Sequence, residues 1–104
     1  MLRSQHNAWI HALATVAVGV AGSVLRVSAA EWCWLVLCVV AVWSAEALNT
    51  ALELLADAAS PTFHPLVKQA KDVAAGAVLI TAIGSVIIGI LVFGPHLVKQ
   101  LPNP

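Results

Sequence analysis

Residues 73–94 read VAAGAVLITAIGSVIIGILVFG, an unbroken run without one charged side chain. As a helix rising about 1.5 Å per residue, this run is long enough to cross the roughly 30 Å hydrocarbon core of a bilayer. Pro95 follows it directly and is expected to end the helix at Gly94. Working back along the chain, Ser60-Pro61-Thr62-Phe63-His64-Pro65 reads as a break, with Pro65 suited to the first turn of the helix that follows. Residues 31–59 form a second long helical stretch. Its first half, 32–45, is uncharged, and its second half carries Glu46, Asn49, Glu53 and Asp57. A helix of that length exceeds the hydrocarbon thickness, so its acidic half should reach the interface or stand in water. The first apolar run, 12–25, becomes long enough to span when extended back through Ala8, Trp9, Ile10 and His11. Trp9 suits an interfacial anchor at one end, and Trp32 and Trp34 at the other. The reading is an all-α membrane protein of one domain over residues 1–104, with transmembrane helices at about 5–26, 31–59 and 65–94 and a short hairpin between the first two.

Composition supports lipid as the solvent. The chain is 61% hydrophobic and 10% charged, with a mean hydropathy of +0.93, whereas soluble domains carry roughly 25% charged residues. A water-soluble domain this small cannot hide so much apolar surface. The formal net charge is +0, which argues against nucleic acid as a partner, since that is bound through a basic excess. Cys33 and Cys38 lie inside an apolar run and read as small hydrophobes. No signal-peptide cleavage site ends the first apolar run, which is read as a retained span. Small residues on all three helices permit close packing, and three short spans barely enclose one another, so association of several copies is expected. Arg3, Lys68 and Lys71 fall on one side of the membrane and Arg26 and Lys99 on the other, which places the N-terminus and the 46–72 region in the cytoplasm.

Glu46, Asn49, Glu53 and Asp57 are spaced by three, four and four, and fall within about 80° of arc on a helix. A carboxylate at membrane depth needs a cation, a partner or water. Asp57 reads most simply as a helix end emerging into solvent. Glu46 lies deeper, with Ser44 and Ala45 before it and Ala47 and Leu48 after it. Lys71-Asp72 opens the third span, with Lys68 one turn earlier. The bland role is an interfacial anchor, and the functional one is a phosphate clamp. Two carboxylates, an amide and a lysine at a membrane surface suit phosphoryl transfer: one carboxylate helps hold Mg²⁺, another accepts the proton of an attacking hydroxyl. No GxxxxGK[ST] loop and no glycine-rich kinase loop occur. His64 lies in the loop, placed to touch a nucleotide. His6 and His11 are read as interfacial residues, and His96 and Lys99 as tail residues.

The stretch Glu46-Ala-Leu-Asn-Thr-Ala-Leu-Glu53, followed by Asp57, then His64-Pro-Leu and Ala70-Lys-Asp-Val-Ala-Ala-Gly-Ala-Val78, resembles the prokaryotic diacylglycerol kinase family, which includes undecaprenol kinases. The resemblance runs from about Ser4 to Phe93. It implies a homotrimer in the bacterial inner (cytoplasmic) membrane, with sites at protomer interfaces near the cytoplasmic surface, and transfer of the γ-phosphate of MgATP to a lipid hydroxyl in the bilayer. By that resemblance Glu46 is the catalytic base and contacts the lipid, with Asn49 and Trp9 on the substrate side. Glu53 is a metal ligand, and Gln5 stands where the family has a second one. Gln5, Glu53, Thr62, Phe63, His64, Lys71 and Asp72 are the expected ATP contacts.

This sequence departs from the family pattern at its start. Gln5 replaces a glutamate, so metal affinity should fall. Trp9 stands where an arginine is frequent, and little precedes this point where the family has an amphipathic surface helix. The expected acceptor is diacylglycerol, giving phosphatidic acid, with undecaprenol as the alternative. Two other readings compete: a non-enzymatic lipid-binding trimer of the same fold, motivated by Gln5, and a small transporter using Glu46, which leaves Lys71-Asp72 and His64 without a role.

Overall fold

Arg26 turns the chain between the first two helices. It sits in left-handed backbone, at φ 55°, and the amide of Val27 reaches back to the carbonyl of Gly22 at 3.1 Å. This is the Schellman ending of a helix, with an arginine where glycine is usual. The computed structural model describes the backbone of residues 2–101 and the side chains of residues 8–101. Three helices follow in order: α1 (Leu2–Leu25), α2 (Ala29–Ala59) and α3 (Pro65–Gln100). All three are long and apolar enough to cross a membrane, as the sequence predicts.

α1 begins at Leu2 rather than at about residue 5, and two further boundaries differ from expectation. α2 begins at Ala29, two residues before the expected Glu31. Ser28 is its N-cap, accepting from the Glu31 amide at 3.1 Å, while the Glu31 carboxylate accepts from the Ser28 amide at 2.9 Å. This reciprocal capping box makes Glu31 the third residue of the helix rather than part of the loop. The second correction is at Pro95, which does not end α3: the helix continues through it to Gln100. Proline removes one backbone donor and crowds the preceding turn, and such gaps are tolerated in membrane helices. Lys99 lies in the last turn, favourable at the negative end of the helix. Pro65 opens α3 as expected, behind His64, whose Nδ1 accepts from the Leu66 amide at 3.1 Å.

The helices form an elongated bundle, 62 × 25 × 20 Å. α2 and α3 pack along one another, and α1 touches both more sparingly. Val27, Leu35 and Val92 are buried, with Val18, Leu25, Trp32, Ile88 and Phe93 packed around them. This small core lies toward the α1–α2 turn. There His96, expected to be a tail residue, reaches the α2 start: its Nε2 is 3.1 Å from both carboxylate oxygens of Glu31. At the opposite end Lys71 of α3 donates to Asp57 of α2 at 2.8 Å. Polar pairs thus tie α2 to α3 at both ends, with apolar packing between. Most large apolar side chains face outward, Ile80 at 73% and Leu91 at 68% exposed among them, as lipid or further copies of the chain require.

Candidate active site

The polar stripe of α2 runs from Glu46 outward to the α2–α3 turn. Glu46 is its deepest carboxylate. With Ala8, Trp43, Ala47, Thr50, Ala51 and Leu54 it lines an apolar cleft open at the side of the bundle. The Glu46 side chain is only 14% exposed and lies 3.5 Å from His11 Nε2 on α1. Trp9 is largely exposed and borders an adjoining cleft with Ala8, Ala12 and Trp43. The expected substrate-side tryptophan and the expected base therefore share the Ala8–Trp43 wall.

One turn farther out, the Asn49 amide nitrogen points at Glu53 Oε1 across a long 3.4 Å contact. Asn49 Oδ1 is buried without a hydrogen-bond partner among the described residues. A buried amide oxygen in this state calls for a donor or a cation. Asn49 and Glu53 together offer only oxygen donors, the set that Mg²⁺ takes, and Mg²⁺ is commonly held by one or two carboxylates plus substrate phosphates. In donor type Asn49 Oδ1 and the Glu53 carboxylate suit such an ion, while the Asn49 group that meets Glu53 in this arrangement is its amide nitrogen. They do not make a closed cage: no cluster of three or more His, Cys, Asp or Glu side chains occurs among the described residues. Gln5 lies on α1, but its side chain falls outside the described residues.

At the aqueous end a second cleft gathers Asp57, Thr62, Phe63, His64, Lys68 and Lys71. The turn supplies its floor. Ser60 caps α2 through its amide to the Ala56 carbonyl, and its hydroxyl donates to the Thr62 carbonyl at 3.2 Å. Phe63 is 78% exposed in this cleft, a flat apolar face without a partner of its own. Lys71, expected on phosphate, is paired with Asp57, and both side chains are well exposed (37% and 69%). An exposed pair of this kind contributes about 1 kcal/mol or less, so an incoming phosphate competes for the ammonium at little cost. Asp72 is turned away: it pairs with Lys68 at 2.9 Å and does not line the cleft.

The structure thus unites Thr62, Phe63, His64 and Lys71 in one cleft, sets Asn49 beside Glu53, and leaves Glu46 nearer the bilayer. Sequence reasoning missed the partner of Glu46. His11 was assigned an interfacial role, although an ionisable residue on an apolar helix is itself a signal. Which residue of α2 it faces depends on how α1 is rotated about its axis, which the sequence does not state.

A bundle of membrane-length helices with a carboxylate lining a side cleft and a lysine-bearing cleft at the helix turn has the groups that a membrane phosphotransferase uses. Residues 1–93 match the prokaryotic diacylglycerol kinase family, and the chain belongs to that family of lipid kinases. It is 43% identical over 95 residues to an undecaprenol kinase of Bacillus subtilis, covering 91% of this chain and 77% of that one. It is also 43% identical over 99 residues to a diacylglycerol kinase of Synechocystis sp., covering 94% of this chain and 57% of that one. No solved structure matches it.

Proposed function

We propose that this chain transfers the γ-phosphate of ATP to the hydroxyl of diacylglycerol, giving phosphatidic acid and ADP. The observation that carries this reading is the division of one bundle end into two clefts. One is apolar and lined by Glu46, and the other is polar, at the α2–α3 turn, and lined by Lys71 and His64. A lipid hydroxyl reaches the first from the bilayer, and a nucleotide reaches the second from water. Glu46 and Glu53 are two helical turns apart, about 10 Å along α2, so the triphosphate points inward along the stripe from the loop toward the base.

Glu46 accepts the hydroxyl proton as the lipid oxygen attacks the γ-phosphorus. The new O–P bond forms as the bond to the bridging β,γ-oxygen breaks, and ADP leaves with that electron pair. Lys71 exchanges Asp57 for phosphate oxygens and holds their charge. Phe63 offers a face for the base, and Thr62 and His64 border it. Glu53 and Asn49, with Gln5 from α1, are the residues that would hold Mg²⁺, and that ion would supply neutralisation of charge on the phosphate oxygens. The family's homotrimer completes each site with a neighbouring copy. The cytoplasmic face of the bacterial inner membrane suits the ATP-side cleft, in keeping with the lysines beside it.

Undecaprenol is the second reading. The better coverage of the undecaprenol kinase, 77% of its length against 57% of the diacylglycerol kinase, and the His64-Pro65-Leu66 loop favour it. Purified chain in mixed micelles with Mg²⁺ and γ-labelled ATP, offered diacylglycerol and undecaprenol side by side, separates the two. Label in phosphatidic acid is the expected result. Label in undecaprenyl phosphate alone moves the acceptor, and label in neither removes the kinase function.

A further inference from the structure

The carboxylate of Glu46 sits between two clefts. On one side it lines the open, lipid-facing cleft with Ala47 and Thr50. On the other side stands His11, which lines a separate apolar cavity between the three helices together with Ser85 and Phe93. His11 Nε2 is 3.5 Å from Glu46 Oε2 and both side chains are largely shielded, at 19% and 14% exposure. That distance is ion-pair reach, longer than a good hydrogen bond.

The imidazole is itself held in place. Its ring packs against the indole of Trp43, one turn before Glu46 on α2, with centroids 5.8 Å apart and planes tilted by 55°. The Trp43 Nε1–H donates to Thr15 Oγ1 at 2.9 Å. The Thr15 hydroxyl in turn donates to the His11 carbonyl at 2.7 Å. These contacts close a loop from His11 to Trp43 to Thr15 and back to His11, and the loop joins α1 to α2 at the depth of Glu46. The indole packs on the ring, the Thr15 hydroxyl fixes the His11 backbone, and the imidazole's Nε2 is directed at the carboxylate.

We infer that His11 is a positioning residue for phosphoryl transfer, holding the Glu46 carboxylate from behind so that one oxygen faces the lipid hydroxyl. The inference rests on the kinase reading above. It follows the general arrangement of a base oriented by a third group on the side away from the substrate. His11 lines neither the nucleotide cleft nor the cleft that Glu46 lines.

The test compares His11→Ala and His11→Gln with the parent chain in the micelle assay, reading kcat and the KM for ATP separately. Glutamine keeps a nitrogen donor near the position of Nε2. His11→Ala is expected to lower kcat by about 10- to 100-fold, the range found when a partner that orients a functional ligand is removed. The KM for ATP stays within about twofold, and His11→Gln recovers most of the lost kcat, because the contact rather than the ring is what matters. Parent-like kcat in His11→Ala overturns the inference. So does an equal fall in both variants accompanied by weakened ATP binding, which marks a packing role. Failure of the parent chain to phosphorylate either lipid removes the kinase reading itself, and with it the base to be positioned.

Discussion

Glu46 carries the sharpest prediction at the residue scale. Glu46→Gln keeps the side chain's shape and removes its capacity to accept a proton. Turnover should fall by about 100-fold or more, as for loss of a general base, while ATP binding measured by calorimetry stays unchanged. ATP binding lost together with turnover would mean that Glu46 serves the fold. Gln5 carries a second prediction: Gln5→Glu restores a charged oxygen ligand, and should lower the Mg²⁺ concentration for half-maximal activity, read from a metal titration of the initial rate. An unchanged midpoint would remove Gln5 from the metal site. At this scale the sequence disclosed much of the site. The spacing of Glu46, Asn49 and Glu53 put them on one stripe, and the Pro61–Pro65 turn brought Lys71 back toward it. It did not disclose that Lys71 rests on Asp57, that Asp72 turns to Lys68, or that His11 meets Glu46, because these pairings depend on side-chain directions and on the rotation of one helix against another.

The elements show where local rules were decisive and where they were overridden. α2 was legible in its polar half and begun two residues late at its start, because the Ser28 cap that sets the first turn at Ala29 was not read from the sequence. α3 was legible at Pro65 and misread at Pro95, because a proline inside a membrane helix is tolerated where neighbouring groups and local backbone adjustment re-satisfy the freed carbonyl. The α1–α2 hairpin depends on one glycine. A Cβ built on Gly22 would lie 2.5 Å from Trp32 Cη2, closer than any real contact, so the two helices meet there only because position 22 has no side chain. Gly22→Val should therefore destabilise the bundle by about 1–3 kcal/mol, as overpacking does, with the midpoint of unfolding in an SDS titration as the readout. An unshifted midpoint would mean that Trp32 swings freely aside and that the hairpin does not depend on this approach.

On the scale of the whole molecule, a core of three buried side chains among the described residues cannot account for a stable solitary bundle, and the outward apolar faces need either lipid or copies of the chain. Mass measurement of the purified protein in detergent should give three times the 10.8 kDa of one chain. An active species at the mass of a single chain would show that each protomer carries a complete site. One feature of α2 reaches further. Its start is fixed by the Ser28 cap, held to α3 through His96, and flanked by Trp32 and Trp34, which mark an interface. From Glu31 to Glu46 the helix rises about 22 Å, against a hydrocarbon layer of roughly 30 Å. An upright helix with Glu31 at one edge of that layer would put Glu46, the proposed base, about 8 Å short of the other edge. With α2 upright and Glu31 at one edge of the hydrocarbon layer, shorter lipid tails should bring Glu46 up to the headgroups and longer tails should sink it, a dependence that activity across lipids of graded tail length would measure.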